Sequence, residues 1–120
     1  MSTAEPIESR EIDGVRVLRF TSSRLFDDVT VRQVGDALID ALPTKPGARL
    51  VLDFSNVEEV SSSMIGKLLL VLRRMDATKG KLRLCELSPS VRGVFRTTNL
   101  DRLFGIDRDL RESLEHLEGS

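Results

Sequence analysis

The residues best placed to do chemistry are three consecutive serines, Ser61, Ser62 and Ser63, between a loop holding Glu58 and Glu59 and an apolar, helix-like stretch. A helix start carries N–H groups without a partner inside the helix, and a partial positive charge. One serine there can act as an N-cap, worth about 1 kcal/mol. Three in a row exceed what one cap needs, so a capping role and a functional role both stand open. Glu58 and Glu59 adjoin the serines and could form an acid/base pair, though loop carboxylates more commonly are solvated charges.

Other chemistries lack residues. The only histidine, His116, would have to serve any Ser-His-Asp or Cys-His arrangement. It lies in a helix whose apolar face is Leu110, Leu114 and Leu117, beside that face rather than on it, and reads as a surface side chain. One histidine and one cysteine cannot make a zinc site without several carboxylates. No G-x-x-x-x-G-K-[ST] or G-x-G-x-x-G loop is present to cradle a phosphate. Cys85 falls in an expected strand and reads as a small core residue. The chain is therefore expected not to be an enzyme and to need no metal or cofactor.

The elements that must position the serines can be read from patterning. Ile7–Ile12 and Val15–Phe20, joined by Asp13-Gly14, read as a β-hairpin. Thr21–Asp27 reads as a polar loop, and Asp27 or Asp28 can cap a helix whose inward face is Val31, Val34, Leu38 and Leu42. Pro43 and Pro46-Gly47 end it. Leu50, Val51, Leu52 and Phe54 suit a strand covered on both faces. A loop over Ser55–Val60 leads through the serines to a helix marked by Ile65, Leu68, Leu69, Leu72 and Met75, ending near Gly80. Leu82–Cys85 is the next strand. Ser88 caps a helix that Pro89 begins, with Val91, Val94 and Phe95 inward. Leu100 to Ile106 forms a short return strand or turn, and Asp107 caps a last helix. The expected fold class is α/β: one domain over residues 7–117, a mostly parallel central sheet of four to five strands, an N-terminal antiparallel hairpin and about four helices. Residues 1–6 and 118–120 are expected to be flexible ends.

Composition agrees. The chain has 120 residues, is 40% hydrophobic and 31% charged, and has a formal net charge of -1, which argues against nucleic acid as a partner. The cluster Arg73, Arg74, Lys79, Lys81 and Arg83 is interrupted by Asp76, contains no aromatics and reads as a solvated face. A single cysteine, a polar start over Met1–Pro6 and no long apolar run lead to the expectation of a cytoplasmic chain without membrane insertion.

The segment Leu52-Asp53-Phe54-Ser55-Asn56-Val57, followed by Ser61-Ser62-Ser63-Met64-Ile65-Gly66, resembles the signature of the STAS family of anti-sigma factor antagonists. Lys81 to Pro89 resembles that family's next strand and its Ser-Pro helix start, and Val94-Phe95 and Leu100 to Phe104 resemble its later segments. The resemblance covers about Val15 to Leu117. It implies that Ser62 is phosphorylated, with Ser61 or Ser63 as alternatives, by a serine-kinase anti-sigma factor. The unphosphorylated form binds that partner, and a PP2C-type phosphatase resets the switch. The implied partner-binding residues are Asp27 and Asp53, together with Ser61, Ser62, Ser63, Met64, Ile65 and Lys67. Two departures stand out: Ser61 occupies the place of the family's Asp, and Met64 that of its first Gly.

Rival expectations are an unphosphorylated STAS scaffold in a signalling complex or lipid-transport assembly, and a small-ligand or nucleotide-binding domain. For the scaffold, Met64 and the Leu68–Leu72 stretch would supply apolar docking area.

Overall fold

In the computed structural model, which describes residues 5–118, the first hairpin closes where Asp13 and Gly14 take left-handed backbone, with φ of 52° and 80°. That geometry matches the twist of the flanking strands β1 (Ile7–Ile12) and β2 (Val15–Phe20). Beyond them the chain runs β3 (Arg24–Leu25), α1 (Asp28–Ala41), β4 (Arg49–Asp53), β5 (Glu59–Val60) and α2 (Ser62–Ala77). It ends with β6 (Lys81–Cys85), α3 (Pro89–Thr97), a 3-10 turn at Leu100–Arg102, β7 (Gly105–Asp107) and α4 (Leu110–Leu117).

Five strands form one sheet in the order β1-β2-β4-β6-β7, antiparallel only between β1 and β2. This is the expected α/β class, with four α-helices. β4 is central, and its apolar run serves both faces. Leu50 and Leu52 join Leu18, Phe20, Leu84 and the apolar sides of α1, α2 and α3. Val51 turns the other way, to Val15, Val17, Cys85 and Leu117 of α4. Phe20, Phe54, Phe95 and Phe104 form a row of ring contacts through the larger core, with centroids 4.8, 6.5 and 5.5 Å apart. The fifth phenylalanine, Phe26, is 57% exposed.

Three expectations are corrected. The stretches read as loops over 21–27 and 55–60 contain β3 and β5, which pair in parallel as a second, two-stranded sheet. The cap of α4 is Asp109, whose carboxylate accepts from the Glu112 N–H at 2.9 Å. Asp107 instead is a buried residue of β7. It accepts two hydrogen bonds from Arg83 (2.9 and 2.7 Å) and one from Ser113 Oγ (2.6 Å), and lies 2.6 Å from His116 Nδ1. His116 is therefore not a plain surface histidine: its side chain is half exposed but tied to Asp107. The expected flexible ends fall on residues 1–4 and 119–120, outside the described residues, apart from three positions. Of these, Pro6 O accepts from Thr21 N and Glu5 O from Thr21 Oγ1, while Glu118 follows α4.

Candidate functional site

The small β3/β5 sheet brings two helix starts together. Its parallel register pairs Arg24 with Glu59 and Leu25 with Val60. Ser23 O accepts from the Glu58 N–H at 2.7 Å, and Leu25 O from the Ser61 N–H at 2.9 Å. An exposed ion pair, Arg24 to Glu59 at 2.7 Å, fastens the same ladder. One step past β3 the chain reaches Phe26 and Asp27, and one step past β5 it reaches Ser61. Each is thus delivered to a helix start from adjoining strands.

Asp27 caps α1. Its carboxylate accepts from Thr30 N at 2.9 Å and Thr30 Oγ1 at 2.8 Å. The backbone bond first, and then the hydroxyl bond, holds Asp27 below the usual carboxylate range. Ser61 caps α2, accepting from Met64 N at 3.2 Å. A cap needs only an acceptor oxygen, and the Ser61 hydroxyl supplies it.

With Ser61 engaged, Ser62 and Ser63 stand exposed in the first turn, and their hydroxyls make no hydrogen bond among the described residues. The other expected partner-binding residues divide. Ile65 is buried at the edge of a groove of about 340 Å³ lined by Phe26, Val60, Ser61, Ser62, Ile65, Val94 and Thr98. Lys67 is half buried, its stem lying across Gly35 of α1, where a Cβ would come within 2.7 Å of Lys67 Cδ.

Met64 and Asp53 do not join the exposed group. Met64 is wholly within the core, so the docking area expected of it is absent: its spacing from Leu68, Val71 and Met75 turns it inward with them. Of the Leu68–Leu72 stretch, Leu70 alone is exposed, at 37%. Asp53 is 5% exposed, and its carboxylate accepts from Ser55 N at 2.8 Å, shaping the turn after β4. Alternation along β4 places it with Val51 on the α4 side of the sheet, away from α2.

Phe26 and Val29 were missed. They are 57% and 60% exposed and flank the start of α1, and Phe26 lines the Ser62 groove. The sequence signal was available, since Phe26, next to Leu25, is the one aromatic in a stretch whose other residues are polar.

Elsewhere, Ser113 gives its proton to Asp107 rather than to His116, so these three groups form no nucleophile–base pair. Burial above all, with nearby carboxylates adding to it, pushes the Cys85 thiol far up, which keeps it an unreactive thiol. Among the described residues no group of three His, Cys, Asp or Glu side chains could hold a metal, and no helix is long and apolar enough to cross a membrane.

Comparison with known proteins gives a consistent picture. The family model described as "STAS domain" matches residues 6–115. A protein of Bordetella bronchiseptica, provisionally named anti-sigma factor antagonist BtrV, is 34% identical over 71 residues. That stretch takes in 59% of this chain and spans 61% of the relative's length. Among solved structures, a STAS domain anti-sigma factor antagonist from Planctomyces limnophilus superimposes with a TM-score of 0.86 at 22% identity, covering 96% of this chain and 99% of that one. The anti-sigma factor antagonist SpoIIAA, in its unphosphorylated form, gives 0.69 at 22% identity, covering 95% and 97%. At these identities the two structures speak for the fold.

Proposed function

The chain belongs to the STAS domain family, and from that premise we propose that it is an anti-sigma factor antagonist switched by phosphorylation of Ser62. The unphosphorylated protein docks a serine-kinase anti-sigma factor through the face around Ser62, Phe26 and Val29. The kinase transfers a phosphoryl group to the Ser62 hydroxyl and the complex separates; a PP2C-type phosphatase restores the docking form.

The observation that carries this reading is the division of labour among the serines. Ser61 is spent on the cap, while Ser62 is exposed, unbonded and on the rim of an apolar groove. A phosphate there would add about -1.5 to -2 charges. The free N–H groups and dipole of the α2 start favour that charge, so the fold survives. Docking does not: a dianion would have to leave water against Phe26, Ile65 and Val94, and burying an unpaired charge is costly. The switch thus acts on binding and not on folding. The relative named as an anti-sigma factor antagonist and SpoIIAA, solved in an unphosphorylated form, support the reading.

The test is site mapping. Incubated with the serine-kinase anti-sigma factor of the same genome and ATP, the protein is expected to gain one phosphate, on Ser62, and Ser62→Ala to gain none. Phosphate on Ser61 or Ser63 instead, or none on the wild type, contradicts the assignment.

A further inference from the structure

The outer face of α2 has a feature that the fold does not use. Met64, Ile65, Leu68, Val71 and Met75 turn inward. Ser62, Ser63, Gly66 and Leu70 are exposed on the opposite side. At 3.6 residues per turn, Gly66 sits near the middle of that outward face, one turn after Ser62 and one before Leu70. A glycine inside a helix is less favourable than alanine. A close neighbour would justify it, but nothing lies within 4 Å of a Cβ built on Gly66. Gly35 shows the contrast: there the stem of Lys67 fills the space a side chain would need.

Nor is this ordinary solvated helix surface, which carries charged residues. From Ser62 to Leu72 the sole charged side chain is Lys67, and it lies to one side across Gly35. Charge resumes at Arg73 and Arg74, both exposed and in no ion pair among the described residues. The face is therefore bare, uncharged and partly apolar near Ser62; two turns farther on it carries Arg73 and Arg74, with the exposed Asp76 one turn past Arg73, for a net positive charge.

We infer that Gly66 is a contact position at which the anti-sigma factor packs directly on the α2 backbone, with an acidic segment of that partner meeting Arg73 and Arg74. This rests on the docking reading above and extends its surface along α2. The partner's identity comes from that reading, and its acidic end from charge complementarity with the two arginines.

The test pairs stability with affinity for the serine-kinase anti-sigma factor of the same genome. Gly66→Ala is expected to raise Tm by about 4 °C, as helix propensity dictates, while weakening binding about tenfold through steric overlap. Gly66→Gln should fold equally well and bind more weakly still. Gly93→Ala, at an equally open position on α3, should gain stability and bind as wild type. Reversing the charges with Arg73→Glu and Arg74→Glu should weaken binding most at low salt. If both Gly66 variants bind like wild type while Ser62→Asp does not bind, this inference is overturned and the docking reading stands. Unchanged affinity after charge reversal overturns the acidic segment. If the wild type itself fails to bind the kinase, both readings fall.

Discussion

Replacing Asp107 by alanine is expected to lower the unfolding free energy by about 3 kcal/mol, read as a lower urea midpoint with an unchanged slope. The carboxylate is almost wholly buried, and Arg83, Ser113 and His116 converge on it. Its removal takes from the half-buried Arg83 guanidinium, between β6 and β7, both of its carboxylate hydrogen bonds. Desolvation by burial is the largest single influence on Asp107 and raises its pKa. The hydrogen bonds from Arg83, Ser113 and His116 together outweigh it and hold the carboxyl below its ordinary value.

A carboxyl with a depressed folded pKa contributes stability that is present above its unfolded value, near 3.9, and lost as pH falls through the folded pKa. The gap between wild type and Asp107→Ala should therefore be full at neutral pH and narrow below about pH 4. A loss under about 1 kcal/mol at pH 7, or a gap that widens in acid, contradicts this role for Asp107. Gly105 belongs to the same arrangement. A Cβ there would fall 2.4 Å from Arg83 Nη1, so the bare backbone of β7 is what lets Arg83 reach Asp107.

Phe26→Ala is expected to weaken binding of the anti-sigma factor at least thirtyfold and to leave Tm nearly unchanged. Four phenylalanines stack through the core, and the one left outside lines the groove beside Ser62. At 57% exposure Phe26 adds little to folding, because water already reaches most of the ring. A partner that covers the ring gains that area, and buried aromatic anchors dominate interface energies. Isothermal titration of the variant, with a melting curve alongside, separates the two effects. Equal affinity for wild type and variant removes Phe26 from the docking face.

The sequence carried most of the scaffold because its signals are local. Asp13-Gly14 names its turn, Ser88-Pro89 its helix start, and the spacing of Val31, Val34 and Leu38 its buried face. The run Leu50 to Leu52 is continuous because β4 is covered on both sides. The features that escaped depend on contacts between distant segments. β3 and β5 are two residues each, too short for periodicity, and exist only because they pair across 35 positions of chain. Asp107 and Asp109 are both credible caps by residue type. The choice is settled by Arg83, more than 20 residues earlier, which claims Asp107 for the sheet. Asp109-x-x-Glu112 did carry the capping-box signature, and Glu112 in turn accepts from the Arg108 N–H at 3.0 Å.

The site was half legible. Helix physics allows one of the three serines to be a cap and leaves a functional role open beside it. The identity of the cap came only from the ladder that fixes Ser61 N to Leu25 O. The place of Met64 in the family's motif implies a partner contact, whereas its spacing from Leu68 and Met75 points to the core. Phe26 and Val29 lie in a segment whose exposure no sequence period encodes.

The central proposal is that Ser62 is a binding switch that leaves the fold intact. The most direct measurement is the affinity of the serine-kinase anti-sigma factor for the unmodified protein and for the protein phosphorylated stoichiometrically on Ser62, each with its melting temperature. The expected result is a loss of at least a hundredfold in affinity on phosphorylation, equivalent to about 2.7 kcal/mol, at nearly the same Tm. Equal affinities for the two forms, or a phosphorylated protein that loses the partner only because it has unfolded, would contradict it.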